Sequence, residues 1–491
     1  MSHTRLILRE VCSDTNPKRQ RGITFPSLAL RACVRVVRVK YSWLLIIVGL
    51  IATAPSSLAE DWPQWLGTNR DAVWSEAGIV RVLPKNGPTV VWQTPIEPGY
   101  AGPAVADGRV FVTDRVLGKG AANPADPFDA KVLVASTERV HCLDAKTGKE
   151  KWKHEYDCPY RISYPAGPRA TPTVSGGKVY TLGAMGDLIC LDVTDGKVIW
   201  SKNFPKDYQA KVPTWGFCSH PLVYKDLVIC IVGGDGSVAV AFDKNTGQEK
   251  WKALSAKEPG YSSATLITVG GKDQVVIWHA QAINGLDPLT GQLLWSIGLE
   301  PAFGMAIMSP RQVGDKLFAA GIGGAGVVLK LKGEKVIPIW QEVMIQGKEM
   351  IPKSRGVYPV NMTPFVEGGI IYGVDQPGML RAVELDTGKK LWFTFKPVIG
   401  KEEAEDYSAA KSGTTFIVKN GDRFFLFSET GDLIIAKLTR NGYEEISRAK
   451  LLEPTGVAFG RRIVWSHPAY ANKCGFFRND KEIICVSLAA K

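Results

Sequence analysis

The stretch CLDAKTGKEKW, residues 142–152, decides the fold because the chain keeps writing it. Close copies are CLDVTDGKVIW (190–200), AFDKNTGQEKW (241–251), GLDPLTGQLLW (285–295) and AVELDTGKKLW (382–392). A weaker copy, LKLKGEKVIPIW (329–340), keeps the Trp but loses the Asp and the Thr-Gly pair. Repetition at roughly this period, 40 to 60 residues, marks an array of identical supersecondary units and outranks any local signal.

Each unit reads as four short strands. The segments TPTVSGG, KVYTLGAMG, DLICLDVTDG and KVIWSKNF (171–204) alternate apolar and polar residues between Gly, Asp and Asn turns, the pattern of antiparallel hairpins. In the opening stretch Cys142 and Leu143 end a third strand, and the Asp144 carboxylate is placed to cap the turn that follows. Gly148 supplies the positive φ of a tight turn, and Lys149 starts the fourth strand. Trp152 lies four residues past the glycine. An indole there buries ~150–250 Å², which suits a residue sealing one sheet against the next.

Seven fourth-strand positions carry such a seal: Trp92, Trp152, Trp200, Trp251, Trp295, Trp340 and Trp392. One more unit, GDRFFLFSETGDLIIAKLTRNGYEEI (421–446), places Ile446 where the Trp would be. The last segment, PAYANKCGFFRNDKEIICVSL (468–488), holds about three strands, while TVVWQT (89–94) has none before it. These two halves complete each other. The expected fold is all-β: an eight-bladed β-propeller of four-stranded antiparallel blades over residues 60–491, its last blade closed by the N-terminal strand, so that few sheet edges stay open.

The 491 residues are 45% hydrophobic and 22% charged, a globular composition, with a formal charge of +12. Nine Lys/Arg and two acids in residues 1–59 place +7 of that charge there and leave +5 on the rest. A body so mildly basic gives no reason to expect a nucleic-acid partner. Residues 1–59 read as an N-terminal extension and signal peptide: RVVRVK, then the apolar run Trp43–Ala54, then the small-residue site Ser57-Leu58-Ala59. The apolar run is short for a membrane span. The long charged start fits initiation near Val36 or Val39. The expectation is export, with a mature chain that begins near Glu60 and has no transmembrane span.

Seven cysteines follow residue 59, an odd number: Cys142, Cys158, Cys190, Cys218, Cys230, Cys474 and Cys485. Cys142 and Cys190 share a repeat position inside strands and read as small buried hydrophobes. A loop pair such as Cys158–Cys218 is one option, and the sequence does not fix connectivity. C-x-x-C, C-x-x-C-H, G-x-S-x-G and P-loop motifs are absent. GIGGAG (321–326) has the G-x-G-x-x-G spacing but sits between two strands with no helix to receive a pyrophosphate. His141, His154 and His279 have no neighbouring ligand at metal spacing, so structural roles and no metal site are expected.

Strand alternation assigns the loops to faces. First-to-second and third-to-fourth turns are tight and share one face. Blade-to-blade and second-to-third connections are long and share the other, including 116–137, and elaboration on one face of a rigid ring marks a binding surface. Residues just before the P-x-V start of each innermost strand should rim the central channel. The candidate ligand-binding residues at that mouth are Tyr100, Arg169, Trp215, His220, Tyr261, Asn361, Lys411, Trp465 and His467. Two readings stand for them: a site for an anionic or sugar-like ligand, and a polar, water-filled channel.

The repeats resemble the A-x-D-x-x-T-G-x-x-x-W pattern of the pyrroloquinoline-quinone (PQQ) propeller superfamily, over roughly residues 60–491. That superfamily includes quinoprotein dehydrogenases and the BamB-type subunit of the outer-membrane assembly machine. The resemblance specifies the fold and leaves the function open. A quinoprotein reading implies PQQ with Ca²⁺ accepting hydride from an alcohol or sugar. Such enzymes commonly carry a vicinal Cys pair, which this chain lacks, and no Ca²⁺-ligand set or catalytic Asp is visible as a motif. BamB-type members are typically lipoproteins, and no Cys follows the apolar run here. The leading expectation is an exported, non-catalytic scaffold without a cofactor, periplasmic or extracellular and monomeric. It would present its long-loop face to a protein or cell-envelope ligand. PQQ/Ca²⁺ dehydrogenase and carbohydrate-binding propeller are the alternatives.

Overall fold

The computed structural model describes residues 60–333, 335–342, 356–404 and 407–490. The expected extension and signal peptide lie outside the described residues. Among those residues are eight four-stranded antiparallel sheets, the eight-bladed all-β propeller that the repeats predict. Blade 1 runs outward through Ala104–Ala106, Arg109–Leu117, Ser136–Asp144 and Glu150–Asp157. Blade 8 consists of Ala469–Ala471, Cys474–Arg478 and Glu482–Ser487, and Val90–Pro95 supplies its outer strand. The two ends of the ring are thus hydrogen-bonded together.

The repeated stretch forms the seam between blades. Asp144 Oδ1 accepts from the N–H of Lys146 and Thr147 and from the Thr147 hydroxyl, at 3.0–3.1 Å. Gly148 has φ +69°, and a Cβ there would lie 2.6 Å from Trp92 of the preceding blade, so the position demands glycine twice over. The indole N–H of each seal crosses the seam to a carbonyl in the third-to-fourth turn of the next blade. Trp92 donates to Ala145 (2.9 Å), Trp152 to Val193 (3.1 Å), Trp200 to Lys244 (3.1 Å), Trp251 to Pro288 (3.1 Å), Trp340 to Leu385 (2.7 Å) and Trp392 to Thr439 (2.9 Å). Trp295 is the exception. It faces the blade whose copy lost Asp and Thr-Gly, and donates instead to Gln274 Oε1 of its own blade, at 2.7 Å.

Every outer strand also carries a register shift beside its seal, as between Cys142 and Leu143, where Cys142 pairs with Trp152 and Leu143 with Glu150. One extra residue in the outer strand bends it around the neighbouring blade. This bulge corrects one sequence expectation. In blade 7, Ile435 pairs with Ser447 and Ala436 with Glu445, so Ile446 is the bulged residue and Ser447 stands at the Trp position. The Ser447 hydroxyl accepts from the N–H of Leu83, a buried residue of the N-terminal segment.

Residues 60–83, which show no strand pattern of the repeat, strap the tight-turn face. Trp62 bridges to Val105, and Pro63 O accepts from Val174 N–H. Arg70 donates to Pro221 O and, at 3.2 Å, to Ala264 O. Arg311 donates to the carbonyls of Arg70 and Asp71 at 2.7 and 2.8 Å, and to Pro364 O at 3.1 Å. Trp74 N–H reaches Lys419 O, and Glu76 accepts from Lys473 N–H. The strap, with its Arg311 link, therefore meets all eight blades.

The seven described cysteines are free. Cys158 Sγ faces Asp187, and Cys218 Sγ faces the carbonyls of Trp215 and Gly216, so the considered Cys158–Cys218 pair is not formed. Cys142 and Cys190 are fully buried opposite Trp152 and Trp200. GIGGAG is a hairpin turn between Lys316–Gly321 and Ala325–Lys332.

Candidate ligand-binding site

The innermost strands start at the long-loop face, and the residues ahead of them form a hydrogen-bonded ring. Thr171 N–H donates to His220 Nδ1 (2.7 Å), His220 N–H to Ser263 Oγ (2.9 Å), Ser309 N–H to Thr363 Oγ1 (3.0 Å) and Asn361 Nδ2 to Thr414 Oγ1 (3.3 Å). Inside this ring lies a cavity of about 660 Å³. All nine sequence-named candidates line it: Tyr100, Arg169, Trp215, His220, Tyr261, Asn361, Lys411, Trp465 and His467.

Its floor is Trp65 of the strap. The indole stacks on His220 (ring centroids 4.1 Å apart, 16° between planes), lies 4.5 Å from the His467 ring and donates to Ser309 Oγ at 3.3 Å. One side chain thus touches three blades across the propeller axis, those whose inner strands are Leu222–Tyr224, Arg311–Val313 and Ala469–Ala471. Burial lowers both histidine pKa values, His467 to about 3 and His220 well below its ordinary value, with nearby Arg70 acting further on His220. His220 Nδ1 accepts from Thr171, and His467 Nδ1 lies 2.7 Å from Pro468 O, where a neutral ring donates. Neither floor histidine is charged at neutral pH.

The walls are mostly aromatic. Trp215 meets Tyr261 edge-on at 5.7 Å, and Trp465 lies against Tyr100, Tyr164 and Phe459 at 6.1–6.5 Å. Trp465 is held from behind by buried Glu429, which accepts its indole N–H at 3.0 Å and pairs with Arg461 at 2.8 Å. Burial raises the Glu429 pKa, and Arg461 opposes that rise. Arg169 spends its donors on the carbonyls of Gly167 (2.5 Å), Ser163 (3.0 Å) and Tyr164 (2.5 Å), with its guanidinium 5.1 Å from the Tyr100 ring. It clamps the 163–167 loop. Lys411 is exposed, its ammonium 5.8 Å from the Phe459 ring, and has no ion-pair partner among the described residues.

Sequence reasoning missed Trp65, Phe128, Tyr164, Phe303, Gln376 and Phe459, which also line the cavity. Phe128 and Tyr164 lie in connections already placed on this face, so their aromatic character there was the available signal. Phe303 sits in a short blade-to-blade connection. Phe459 tips an additional hairpin, Gly456–Ala458 with Arg461–Ile463, inserted before blade 8. Trp65 belongs to no repeat.

No Asp or Glu lines the cavity among the described residues, and none of those residues forms a cluster of three or more His, Cys, Asp or Glu able to hold a metal. Ca²⁺ takes six to eight oxygen ligands, carboxylates prominent among them. The lining therefore does not fit the PQQ/Ca²⁺ pair that the superfamily resemblance implies. No helix among the described residues is long and apolar enough to cross a membrane.

Residues 76–159 and 136–394 match the model of a family described as outer membrane protein assembly factor BamB. The protein of that name from Shewanella oneidensis is 24% identical over 236 residues, 46% of this chain and 56% of that relative. The chain thus spans little more than half the length of that curated relative. The dehydrogenase subunit of a quinone alcohol dehydrogenase from Komagataeibacter europaeus is 31% identical over 144 residues, 26% of this chain and 19% of the relative. Among solved structures, quinohemoprotein alcohol dehydrogenase from Comamonas testosteroni aligns with a TM-score of 0.58 at 15% identity, covering 88% of this chain and 81% of that one. That likeness is one of fold.

Proposed function

This chain belongs to the outer membrane protein assembly factor BamB family, and on that premise we propose that it is an exported, non-catalytic propeller that binds a protein or cell-envelope ligand on its long-loop face. The observation that carries the reading is the axial cavity, open to that face, floored by Trp65 and lined without a carboxylate among the described residues. Exposed Phe128, Phe303 and Phe459 stand around its mouth, a rim suited to an apolar contact. The chain would act in the periplasm or outside the cell, as a monomer, after cleavage near Glu60.

The quinoprotein alternative draws on the 31% identity over one quarter of the chain, and the chemistry of the lining stands against it. The test is dye reduction with ethanol or glucose after loading the full chain with PQQ and Ca²⁺. No turnover is expected. Turnover accompanied by a melting shift on loading would overturn the non-catalytic reading. N-terminal sequencing of the exported protein checks processing, and residues 1–40 still attached would refute it.

A further inference from the structure

We propose that the axial cavity binds a small aromatic carboxylate, held by stacking and by Lys411 without a divalent cation. The inference rests on the binding-propeller reading above and gives that cavity a ligand class. Trp65, Trp215, Tyr261 and Trp465 present rings to one space of about 660 Å³, within the usual range for small-molecule pockets. A planar apolar body fits these walls better than a sugar, whose hydroxyls would need many polar partners.

Charge decides the sign of the polar group. An aromatic cage alone would suit a cation, but here Lys411 and Arg169 already stand at the mouth and no carboxylate lines the cavity among the described residues. A cationic ligand would meet repulsion with nothing to offset it. Arg169 gives three of its five donors to carbonyls, whereas the Lys411 ammonium has no ion-pair partner among the described residues and is the freer cation at the mouth. Tyr261, 4% exposed, gives the cavity its ring, while its hydroxyl is buried away from that space. The neutral His220 and His467 beneath Trp65 add no charge of their own.

Calorimetric titration of the full chain with 2-naphthoate, 2-naphthamide and 2-naphthylmethylammonium, in EDTA, tests the class. The expected result is naphthoate binding about tenfold or more tighter than the amide, the size of a charge-assisted hydrogen bond, with the ammonium weakest. Lys411→Met is expected to erase the gap between naphthoate and amide while leaving amide affinity in place. Equal affinities for naphthoate and amide, tighter binding of the ammonium, a requirement for Ca²⁺, or no binding of any probe would each overturn the proposal. Dye reduction by the PQQ/Ca²⁺-loaded protein would instead overturn the non-catalytic reading, so the two failures are told apart.

Discussion

The seams between blades and the axis of the ring are built by opposite rules. At the seams one solution recurs: a Trp from one blade meets the third-to-fourth turn of the next, Asp-capped in four cases, and in six instances an indole-to-carbonyl hydrogen bond joins them. On the axis no one residue type is kept from blade to blade around the ring. The eight pre-strand positions hold Gly102, Thr171, His220, Ala264, Ser309, Thr363, Thr414 and His467, and a ninth contributor, Trp65, comes from outside the repeats. A repeated contact need only be adequate, because each neighbour supplies the same complement. A single central space has one shape and can be specialised. Where a copy degenerates, the seam improvises, as Trp295 does by turning to Gln274.

The largest expected effect falls on the seams. Trp200 is 8% exposed and bonded across to Lys244 O at 3.1 Å. Trp200→Ala should cost about 3–5 kcal/mol, read as a fall in the urea midpoint at unchanged m-value. An effect under about 1 kcal/mol would break the distinction between seam and axis. Next comes Gly148→Ala, which combines about 1–2 kcal/mol of left-handed backbone strain with a Cβ placed 2.6 Å from Trp92. Gly177, with φ +75° and open space around it, should show the strain alone when changed to Ala. Equal losses at the two sites would mean that Trp92 yields freely.

The axis should betray itself through pH. His467 titrates near 6.5 when unfolded, and burial lowers it to about 3 in the folded protein. Between these values the unfolded chain binds the extra proton, so stability is present above about pH 6.5 and lost as pH falls toward 3. The loss from His467 should reach about 2 kcal/mol by pH 5, with His220 adding in the same direction. Urea unfolding at pH 7, 6 and 5 should show this slope, reduced in His467→Gln. An unchanged slope would mean that the floor is open to water. The smallest effect belongs to Lys411→Ala, expected within about 0.5 kcal/mol of the parent because the side chain is exposed and unpaired among the described residues. A larger loss of melting stability would move Lys411 from the site to the scaffold.

The blade count, the ring closure and the seam chemistry were legible because they are local. Asp144, Thr147, Gly148 and Trp152 lie within nine residues, and their turn and strand preferences act at that range. The nine lining residues could be named, because strand alternation fixes which end of each inner strand they precede, but not their depth: His220 and His467 lie at the floor against Trp65 and not at the mouth. Pattern failed where one hairpin is longer than the others. Ile446 takes the bulge and Ser447 the seal position because the blade-7 hairpin pairs Thr439 with Gly442, so the residue opposite Ile435 falls one place later after the glycine than Trp152 does after Gly148.

By itself, then, the sequence determined an eight-bladed ring with a repeated Trp–turn seam and an elaborated face. Only the tertiary structure decided what occupies the axis. The strap of residues 60–83 carries no repeat and gains its hydrogen bonds from seven blades, with Arg311 linking on to the eighth. One partner, Lys473, lies 397 residues from Glu76 along the chain, so no window of sequence contains these bonds. The same holds for the cavity's electrostatics. His220 and His467 are neutral because Trp65 and the surrounding strands exclude water from them. Arg169 differs from Lys411 because three carbonyls of the 163–167 loop surround its guanidinium, whereas the Lys411 ammonium is exposed beside the Phe459 ring. Desolvation and the direction of carbonyl groups are properties of the assembled ring, and they exist only once its eight blades have closed around the axis.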